Sequence, residues 1–210
     1  MFAKALVAAC ALIALASAVP DDAALVTIGS TIKLAHVASG VRLHSQDIPY
    51  AFGHGSGQQS VTSIPNSDNE GSFWIVHGVG AGDSSRTPLE AGAEVRLQHA
   101  GTRRWLHSHQ FRSPLSGAQE VSAFGSDRES DDSDIWILEF VDKRHKGPWK
   151  QDEPIRLKHN ATGMYLSSHS RFQFGRPISG HQEVACVRRS NANTAWSAAE
   201  GVYIVPRQAQ

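Results

Sequence analysis

The chain carries the stretch Glu94-Val-Arg-Leu-Gln-His-Ala-Gly-Thr-Arg-Arg-Trp-Leu-His-Ser108, and variants of the same stretch lie at Thr31–Ser45 and Pro154–Ser168. Successive copies are 63 and 60 residues apart, and two leucines and one histidine keep this spacing. The matching positions are Leu34, Leu97 and Leu157, then His36, His99 and His159, then Leu43, Leu106 and Leu166. Three copies in one register indicate an internal repeat.

Each repeat continues to a glutamine in a Gly-x-Gln stretch and ends at a tryptophan. The glutamines are Gln59, Gln119 and Gln182, and the tryptophans are Trp74, Trp136 and Trp196. Within the repeats apolar and polar residues alternate, which is the period of a half-buried strand and not of a helix. Clusters of Gly, Ser, Asn and Asp between these runs predict turns. Each repeat is therefore expected to form about four short strands.

Three such units predict an all-β chain with the β-trefoil fold, in which three pseudo-threefold repeats of about four strands close around one axis. One unit is too small to bury its own apolar face, so closure would place a leucine and a tryptophan from each copy in a shared core. A solenoid needs shorter or more numerous repeats with capping units, and a propeller normally has four or more blades. Closure also removes exposed strand edges.

Composition narrows the class of protein further. The 210 residues are 40% hydrophobic and 19% charged, which is typical of a globular chain and not of a disordered one. Twenty Lys and Arg balance twenty Asp and Glu, so the chain lacks the basic excess that nonspecific nucleic-acid binding requires. We expect no nucleic-acid partner.

The first residues have the pattern of a signal peptide. Lys4 supplies a positive charge, Ala5–Ala16 is apolar but too short to span a bilayer, and Ala16-Ser-Ala18 offers small residues for cleavage. We therefore expect a secretory protein that is not an integral membrane protein. The predicted division is a signal peptide at 1–18, a short segment at 19–24, one β-trefoil domain at 25–205 with repeats at about 25–79, 88–141 and 148–203, and a tail at 206–210.

Cleavage would remove Cys10 and leave Cys186 as the remaining cysteine, so no intrachain disulfide is expected. Cys186 lies in the apolar run Val184–Val187 and is predicted to be a buried core residue rather than a nucleophile.

Longer motifs resemble a known family. They are Val41-Arg-Leu-His-Ser45 with Gly57-Gln-Gln-Ser-Val-Thr62, Leu106-His-Ser-His109 with Ser113-Pro-Leu-Ser-Gly-Ala-Gln-Glu-Val-Ser-Ala-Phe-Gly125, and Gly175-Arg-Pro-Ile-Ser-Gly-His-Gln-Glu-Val184. In these motifs the chain is similar to stromal cell-derived factor 2 and its close relative, lumenal proteins of the endoplasmic reticulum built from three MIR motifs. The resemblance covers essentially the whole chain after the signal peptide.

The resemblance implies a non-enzymatic function. Its members look like accessory subunits of a lumenal J-domain co-chaperone that works with the lumenal heat-shock chaperone to keep unfolded clients soluble. MIR motifs also occur in protein O-mannosyltransferases, which implies an alternative as a lectin-like module for mannose or O-mannosylated peptides on glycoproteins. The segment Val205-Pro-Arg-Gln-Ala-Gln210 is not an HDEL-like signal, so we expect the endoplasmic reticulum lumen or secretion.

Histidines and carboxylates are the candidates for chemistry. His107 and His109 share one face of a strand, but zinc needs three or four convergent ligands and no paired cysteines or HExxH spacing accompany them. The histidines at the matching repeat positions are expected to be structural. Four acidic residues, Glu129, Asp131, Asp132 and Asp134, fall in one loop that is expected to be solvated. We therefore expect no metal, no cofactor and no catalytic residue, although a glycosidase-type carboxylate pair stays open.

Two equivalent loops are the better candidates for binding. Ser113-Pro-Leu-Ser-Gly117 and Arg176-Pro-Ile-Ser-Gly180 each follow aromatic and basic residues. The candidate binding residues are Phe111, Arg112, Pro114, Leu115, Arg171, Phe172, Phe174, Arg176, Pro177 and Ile178. Two interpretations stay open: the loops present apolar faces with charged rims to a peptide, or Pro and Gly set the turns while Phe packs inward.

The stretch Asn160-Ala-Thr162 is a sequon for N-glycosylation. Because it lies in the predicted turn after the first strand of the third repeat, we expect Asn160 to be glycosylated. The same turn would then face solvent and be unavailable to clients.

Overall fold

The computed structural model describes residues 23–51, 55–80 and 84–206. The predicted signal peptide and the last four residues of the predicted tail lie outside these ranges. Alternating apolar and polar residues form twelve strands. They are β1 (Thr31–His36), β2 (Arg42–Pro49), β3 (Gln59–Ile64), β4 (Trp74–Gly78), β5 (Glu94–His99), β6 (Trp105–Arg112), β7 (Gln119–Phe124), β8 (Trp136–Phe140), β9 (Ile155–His159), β10 (Tyr165–Gln173), β11 (Gln182–Val187) and β12 (Trp196–Val202).

Short 3-10 helices lie before the last strand of each repeat, at Glu70–Ser72, Asp132–Asp134 and Ala192–Thr194. Each begins after an Asn or Asp whose side-chain oxygen accepts a backbone N–H of the turn. Within the described ranges, no helix has the length and apolar character needed to cross a membrane.

The strands pair with threefold pseudosymmetry. The first and last strands of the repeats form a closed six-stranded ring through the antiparallel pairs β1–β4, β4–β5, β5–β8, β8–β9, β9–β12 and β12–β1. The middle strands form three hairpins, β2–β3, β6–β7 and β10–β11. The hairpins join at one end of the ring through the pairs β3–β7, β7–β11 and β11–β3. The prediction of an all-β trefoil is confirmed; its boundaries at 25–205 stay a prediction.

The repeated leucines and tryptophans build the core. All nine side chains are at most 2% exposed, namely Leu34, Leu97, Leu157, Leu43, Leu106, Leu166, Trp74, Trp136 and Trp196. Each indole N–H donates to the carbonyl of the second leucine of its own repeat, at 3.1 Å for Trp74, 2.9 Å for Trp136 and 3.1 Å for Trp196. Each tryptophan thus fills the core without leaving its polar atom unpaired.

Cys186 is buried in the same core, as predicted from its apolar neighbours. Burial raises the pKa of its thiol to about 12. A thiol that stays protonated is a poor nucleophile, so this position serves packing.

We predict that Leu106→Ala lowers the free energy of unfolding by about 2–5 kcal/mol, because the side chain is fully buried and its removal leaves a cavity. Urea unfolding followed by tryptophan fluorescence measures this change. Val37→Ala is the control, since Val37 is 50% exposed and its truncation is expected to have little effect. Equal destabilisation by both substitutions would contradict the core assignment.

Candidate functional site

A buried histidine joins each repeat to its neighbour. His99 ends β5, its Nδ1 lies 2.8 Å from Thr102 Oγ1, and its Nε2 lies 3.0 Å from the carbonyl oxygen of Gly71 in the preceding repeat. Its ring packs on Trp74, with ring centroids 5.2 Å apart. The same contacts link His36 to Ser39, Asn193 and Trp196, and His159 to Thr162, Ser133 and Trp136.

These contacts fix the protonation of the three rings. A carbonyl oxygen only accepts, so each Nε2 carries the hydrogen and each Nδ1 accepts from the hydroxyl. Burial lowers the pKa of His36, His99 and His159, which favours this neutral form. The repeated histidines therefore have the structural role expected from their register.

The other two neighbouring histidines contact different carboxylates: His109 Nε2 lies 2.9 Å from Glu120 Oε1, and His107 contacts Asp134. His107 Nδ1 lies 2.9 Å from Asp134 Oδ1, and Asp134 Oδ2 accepts the backbone N–H of Asp131 at 2.8 Å. Nitrogen and oxygen atoms of His107, Asp131 and Asp134 lie within 4.8 Å of one another, which is close enough for cation ligands. Asp131 and Asp134 are close because they cap the 3-10 helix Asp132–Asp134, and His107 is close because it bonds to Asp134.

The acidic loop corrects one expectation. Glu129, Asp131 and Asp132 are exposed as predicted, but Asp134 is completely buried. Its burial follows from its position as the third residue of a capping box, where its carboxylate reaches back to the start of the turn.

The connections of the three hairpins meet on one face of the molecule. We call them the first loop (50–58, of which the structure describes 50–51 and 55–58), the second loop (113–118) and the third loop (174–181). Each is closed by a backbone hydrogen bond between its first and last residues, at 2.9, 2.8 and 2.8 Å. Each has a Ser-Gly turn whose glycine, Gly57, Gly117 or Gly180, adopts a positive φ of 79°, 68° or 82°. Glycine takes this backbone conformation without a steric penalty.

Two of these loops are held by a buried glutamate from the following repeat. Glu183 of β11 accepts the backbone N–H of Leu115 at 2.7 Å and that of Ser116 at 3.1 Å. Glu120 of β7 accepts the backbone N–H and the hydroxyl of Ser56 in the first loop. Glu183 is 3% exposed and Glu120 is fully buried. Consecutive backbone N–H groups of a turn form a concave site that binds an anion, and here the anion is internal.

The third loop lacks the corresponding glutamate. The strand pairing places Ser60 of β3 at the position that Glu120 and Glu183 occupy in the other repeats. The third loop has instead a hydrogen bond from the His181 N–H to the carbonyl of Ile178 at 3.1 Å, and Thr62 Oγ1 of β3 lies 2.9 Å from His181 Nδ1. A cavity of about 300 Å³ lies between Ser60, the second loop and the third loop.

The structure brings six of the ten predicted binding residues to this cavity. They are Pro114, Leu115, Phe174, Arg176, Pro177 and Ile178. Tyr50 completes the apolar wall, and its hydroxyl donates to the carbonyls of Val61 and Val121. We call this site, between Ser60 and the third loop, the Ser60 cavity.

Phe111 and Arg112 line a neighbouring cleft of about 770 Å³, between the second hairpin and the third repeat. Phe111 is 53% exposed and packs on His109, with ring centroids 4.8 Å apart. Gln119 and Arg188 also line this cleft. It is larger and more polar than the Ser60 cavity.

Arg171 and Phe172 line neither space and instead contact one another. The Arg171 guanidinium lies 5.1 Å from the centroid of the Phe172 ring. They lie within β10, before the third loop. Their role in binding stays a prediction.

Sequence reasoning missed Ser60, Glu120, Glu183 and Tyr50. A signal was present in the sequence. Gly117-Ala-Gln-Glu-Val121 and Gly180-His-Gln-Glu-Val184 share a glutamate before the valine, and Gly57-Gln-Gln-Ser-Val61 has a serine there. A polar residue within a strand does not reveal which loop it contacts when that loop belongs to another repeat.

Comparison with known proteins gives the family. No family model matches the chain. A stromal cell-derived factor 2-like protein of Arabidopsis thaliana is 47% identical over 180 residues, which cover 85% of this chain and 80% of the relative. Human stromal cell-derived factor 2 is 44% identical over 186 residues, 88% of this chain and 84% of the relative. The chain belongs to the stromal cell-derived factor 2 family.

Solved structures agree with this assignment. The crystal structure of the Arabidopsis thaliana family member matches with a TM-score of 0.83 at 46% identity, over 88% of this chain and 99% of that one. The S. cerevisiae protein O-mannosyltransferase Pmt1-Pmt2 complex bound to the sugar donor matches with a TM-score of 0.76 at 28% identity, over 89% of this chain and 28% of that one. The designed threefold-symmetric protein ThreeFoil, at 16% identity and a TM-score of 0.54, shares the fold.

We predict that acid destabilises this family member through its buried histidines. Burial lowers the pKa of His44 to about 4, from an ordinary value of 6.5 that the unfolded chain keeps. The unfolded state therefore binds protons first, and stability that is complete above pH 6.5 falls as the pH drops toward 4. At about pH 5 His44 alone accounts for a loss on the order of 1–2 kcal/mol.

The urea midpoint at about pH 7.5 and at about pH 5 measures this dependence. His44→Gln is expected to reduce the difference between the two midpoints, and His169→Gln, at an exposed position, is expected to leave it unchanged. Equal midpoints for the unsubstituted chain at both pH values would contradict the prediction.

Proposed function

We propose that this chain is a non-enzymatic accessory subunit of a chaperone complex in the lumen of the endoplasmic reticulum. In this proposal it works with a J-domain co-chaperone and the lumenal heat-shock chaperone to keep unfolded clients soluble. It resides in the lumen through its partners or is secreted. Membership of the stromal cell-derived factor 2 family supports the proposal.

The observation that carries the proposal is the apolar face formed by the end of β6 and the second and third loops. Phe111 and Leu115 are 53% and 40% exposed, and both border the spaces described above. Arg112 and Arg176 add positive charge beside them. Exposed apolar groups with a polar rim are typical of protein-binding surfaces, and unfolded chains offer the matching apolar segments. A surface of this small size favours transient contacts.

The bonding of the buried glutamates and the buried cysteine favours binding of a partner over catalysis. Glu183 uses both carboxylate oxygens on loop N–H groups, and Cys186 is kept protonated by burial. Glu120 is bound to the first loop and to His109 Nε2. Glu183 in its bonds and the protonated Cys186 stabilise the face and are poorly placed for proton transfer to a substrate.

A second candidate function is a lectin-like module for mannose or O-mannosylated peptides. The cleft of about 770 Å³ favours it, because Phe111 offers a ring face and Gln110 offers a carboxamide. The likeness of this chain to the O-mannosyltransferase complex bound to the sugar donor gives this candidate further support. Sugar sites combine such aromatic and carboxamide groups in a concave surface.

We predict that the purified chain suppresses aggregation of an unfolded client, measured by light scattering. Phe111→Ser with Leu115→Ser is expected to remove most of this effect, because both apolar side chains are exposed on the loop face. Val37→Ser is the matched control, since it removes an equally exposed apolar group from another turn.

Affinity purification of the chain from the lumen, read by mass spectrometry, is expected to recover the J-domain co-chaperone and the heat-shock chaperone.

Competition separates the candidate functions. Client binding that is unaffected by mannose supports the chaperone role. Binding that mannose or an O-mannosylated peptide displaces would support the lectin-like module instead. Turnover of a sugar donor by the purified chain would contradict both.

We also predict that Asn160 is N-glycosylated in the secretory pathway. Asn160 is exposed in the turn between β9 and β10. Its sequon partner Thr162 bonds to His159 and Gln119 in the folded chain. Endoglycosidase treatment is expected to increase the gel mobility of the chain, and Asn160→Gln to abolish that shift while keeping Thr162. Unchanged mobility after treatment would exclude the modification.

A further inference from the structure

The Ser60 cavity is the place where the threefold pattern is broken. In the first and second loops the serine of the Ser-Gly turn, Ser56 or Ser116, donates its backbone N–H to a glutamate. The equivalent serine of the third loop is Ser179, and it follows Ile178 as Ser116 follows Leu115. Across the described part of the chain, no acceptor is bonded to the backbone N–H of Ile178 or Ser179.

The cavity also has an unmatched positive charge. Arg176 lines it, is exposed, and has no carboxylate within 4.0 Å among the residues that the structure describes. The rest of the lining is mainly apolar and includes Leu115, Phe174 and Ile178. The cavity therefore combines one cation, one lining residue with an unpaired backbone N–H (Ile178) and apolar side chains, and the exposed Ser179, next in the chain, supplies a second unpaired N–H.

The chain itself shows which chemical group this type of loop accepts. Glu183 fills the corresponding space beside the second loop and Glu120 beside the first. Serine carries a hydroxyl where glutamate carries a second methylene and the carboxylate, and the Ser60 side chain does not bond to the third loop among the described contacts. Ser60 lines the cavity of about 300 Å³ that also borders the third loop.

We propose that the Ser60 cavity binds a glutamate side chain from an extended segment of a partner protein. The glutamate carboxylate accepts from the N–H groups of Ile178 and Ser179 and pairs with Arg176. An apolar residue next to it on the segment packs between Leu115 and Phe174. The ligand thus restores the third carboxylate, and hydrogen bonds to a charged acceptor give the site its selectivity.

This inference rests on the proposed function in one respect, namely that the loop face binds polypeptide. It adds that recognition requires an acidic side chain in addition to apolar ones. Aggregation suppression can fail while the cavity still binds glutamate, and the reverse also holds, so separate measurements distinguish the two proposals.

The test is a titration of the full chain, labelled with nitrogen-15, observed through its backbone amide resonances. The probe is N-acetyl-glutamate N-methylamide, whose single carboxylate is the side chain. We expect saturable shifts at Ile178 and Ser179, and binding of the glutamine analogue weaker by about tenfold or more because it lacks the charge. Leu115 and Ser116 are the internal control, since Glu183 already holds them.

Substitutions sharpen the test. Ser60→Glu supplies an internal carboxylate and is expected to abolish the probe response, with a new downfield shift of the Ser179 amide. Ser60→Gln is the matched control, because it fills the same volume without charge and is expected to give no such shift. Arg176→Gln is expected to weaken the glutamate probe and to leave the glutamine analogue unaffected.

Three results would overturn the proposal. They are equal affinity for the two probes, shifts centred on Leu115 and Ser116 instead of the third loop, and inorganic phosphate binding at Ser179 about tenfold more tightly than the glutamate probe. If Ser60→Glu does not fold, the two probes on the unsubstituted chain and on Arg176→Gln decide the question, because neither depends on the buried substitution.

Discussion

A neutral histidine between two repeats is the contact on which the rest of this structure depends. Its ring packs on the tryptophan of the neighbouring repeat, and its two nitrogens bond a local hydroxyl and a neighbouring carbonyl, as at His99. A single repeat of four short strands has no core of its own. The histidine therefore couples strand ends, core tryptophans and 3-10 helices of different repeats into one closed unit, and burial keeps the ring uncharged.

Closure has a consequence for the loops. Because the hairpins meet around the pseudo-threefold axis, each loop lies beside a strand of the following repeat. Glu120 and Glu183 use this proximity to fix two loops, across separations of 64 and 68 residues in sequence. Ser60 leaves the third loop without that anchor. The symmetric scaffold thus produces an asymmetric face, and the difference lies at one strand position.

The fold was predictable because its signal is repeated three times. Leucine, histidine and tryptophan positions in one register were enough to predict a trefoil, and the core confirms them. The site was predictable in part: the equivalence of the second and third loops was readable, whereas their contacts with Glu183 and Ser60 join different repeats and depend on strand pairing. Asp134 was expected in solvent and is buried by its capping role. Arg171 and Phe172 are close in sequence to the third loop, but they line neither the Ser60 cavity nor the neighbouring cleft.

Amide hydrogen exchange in the unliganded chain tests most directly whether a buried carboxylate holds the second loop and is missing beside the third. Exchange rates at Leu115 and Ser116, which donate to Glu183, are compared with those at Ile178 and Ser179. The structure predicts slow exchange at the first pair and exchange faster by at least about tenfold at the second, since hydrogen bonding to a buried acceptor retards exchange. Equal protection of both pairs would contradict the assignment of an unfilled carboxylate position beside Ser60.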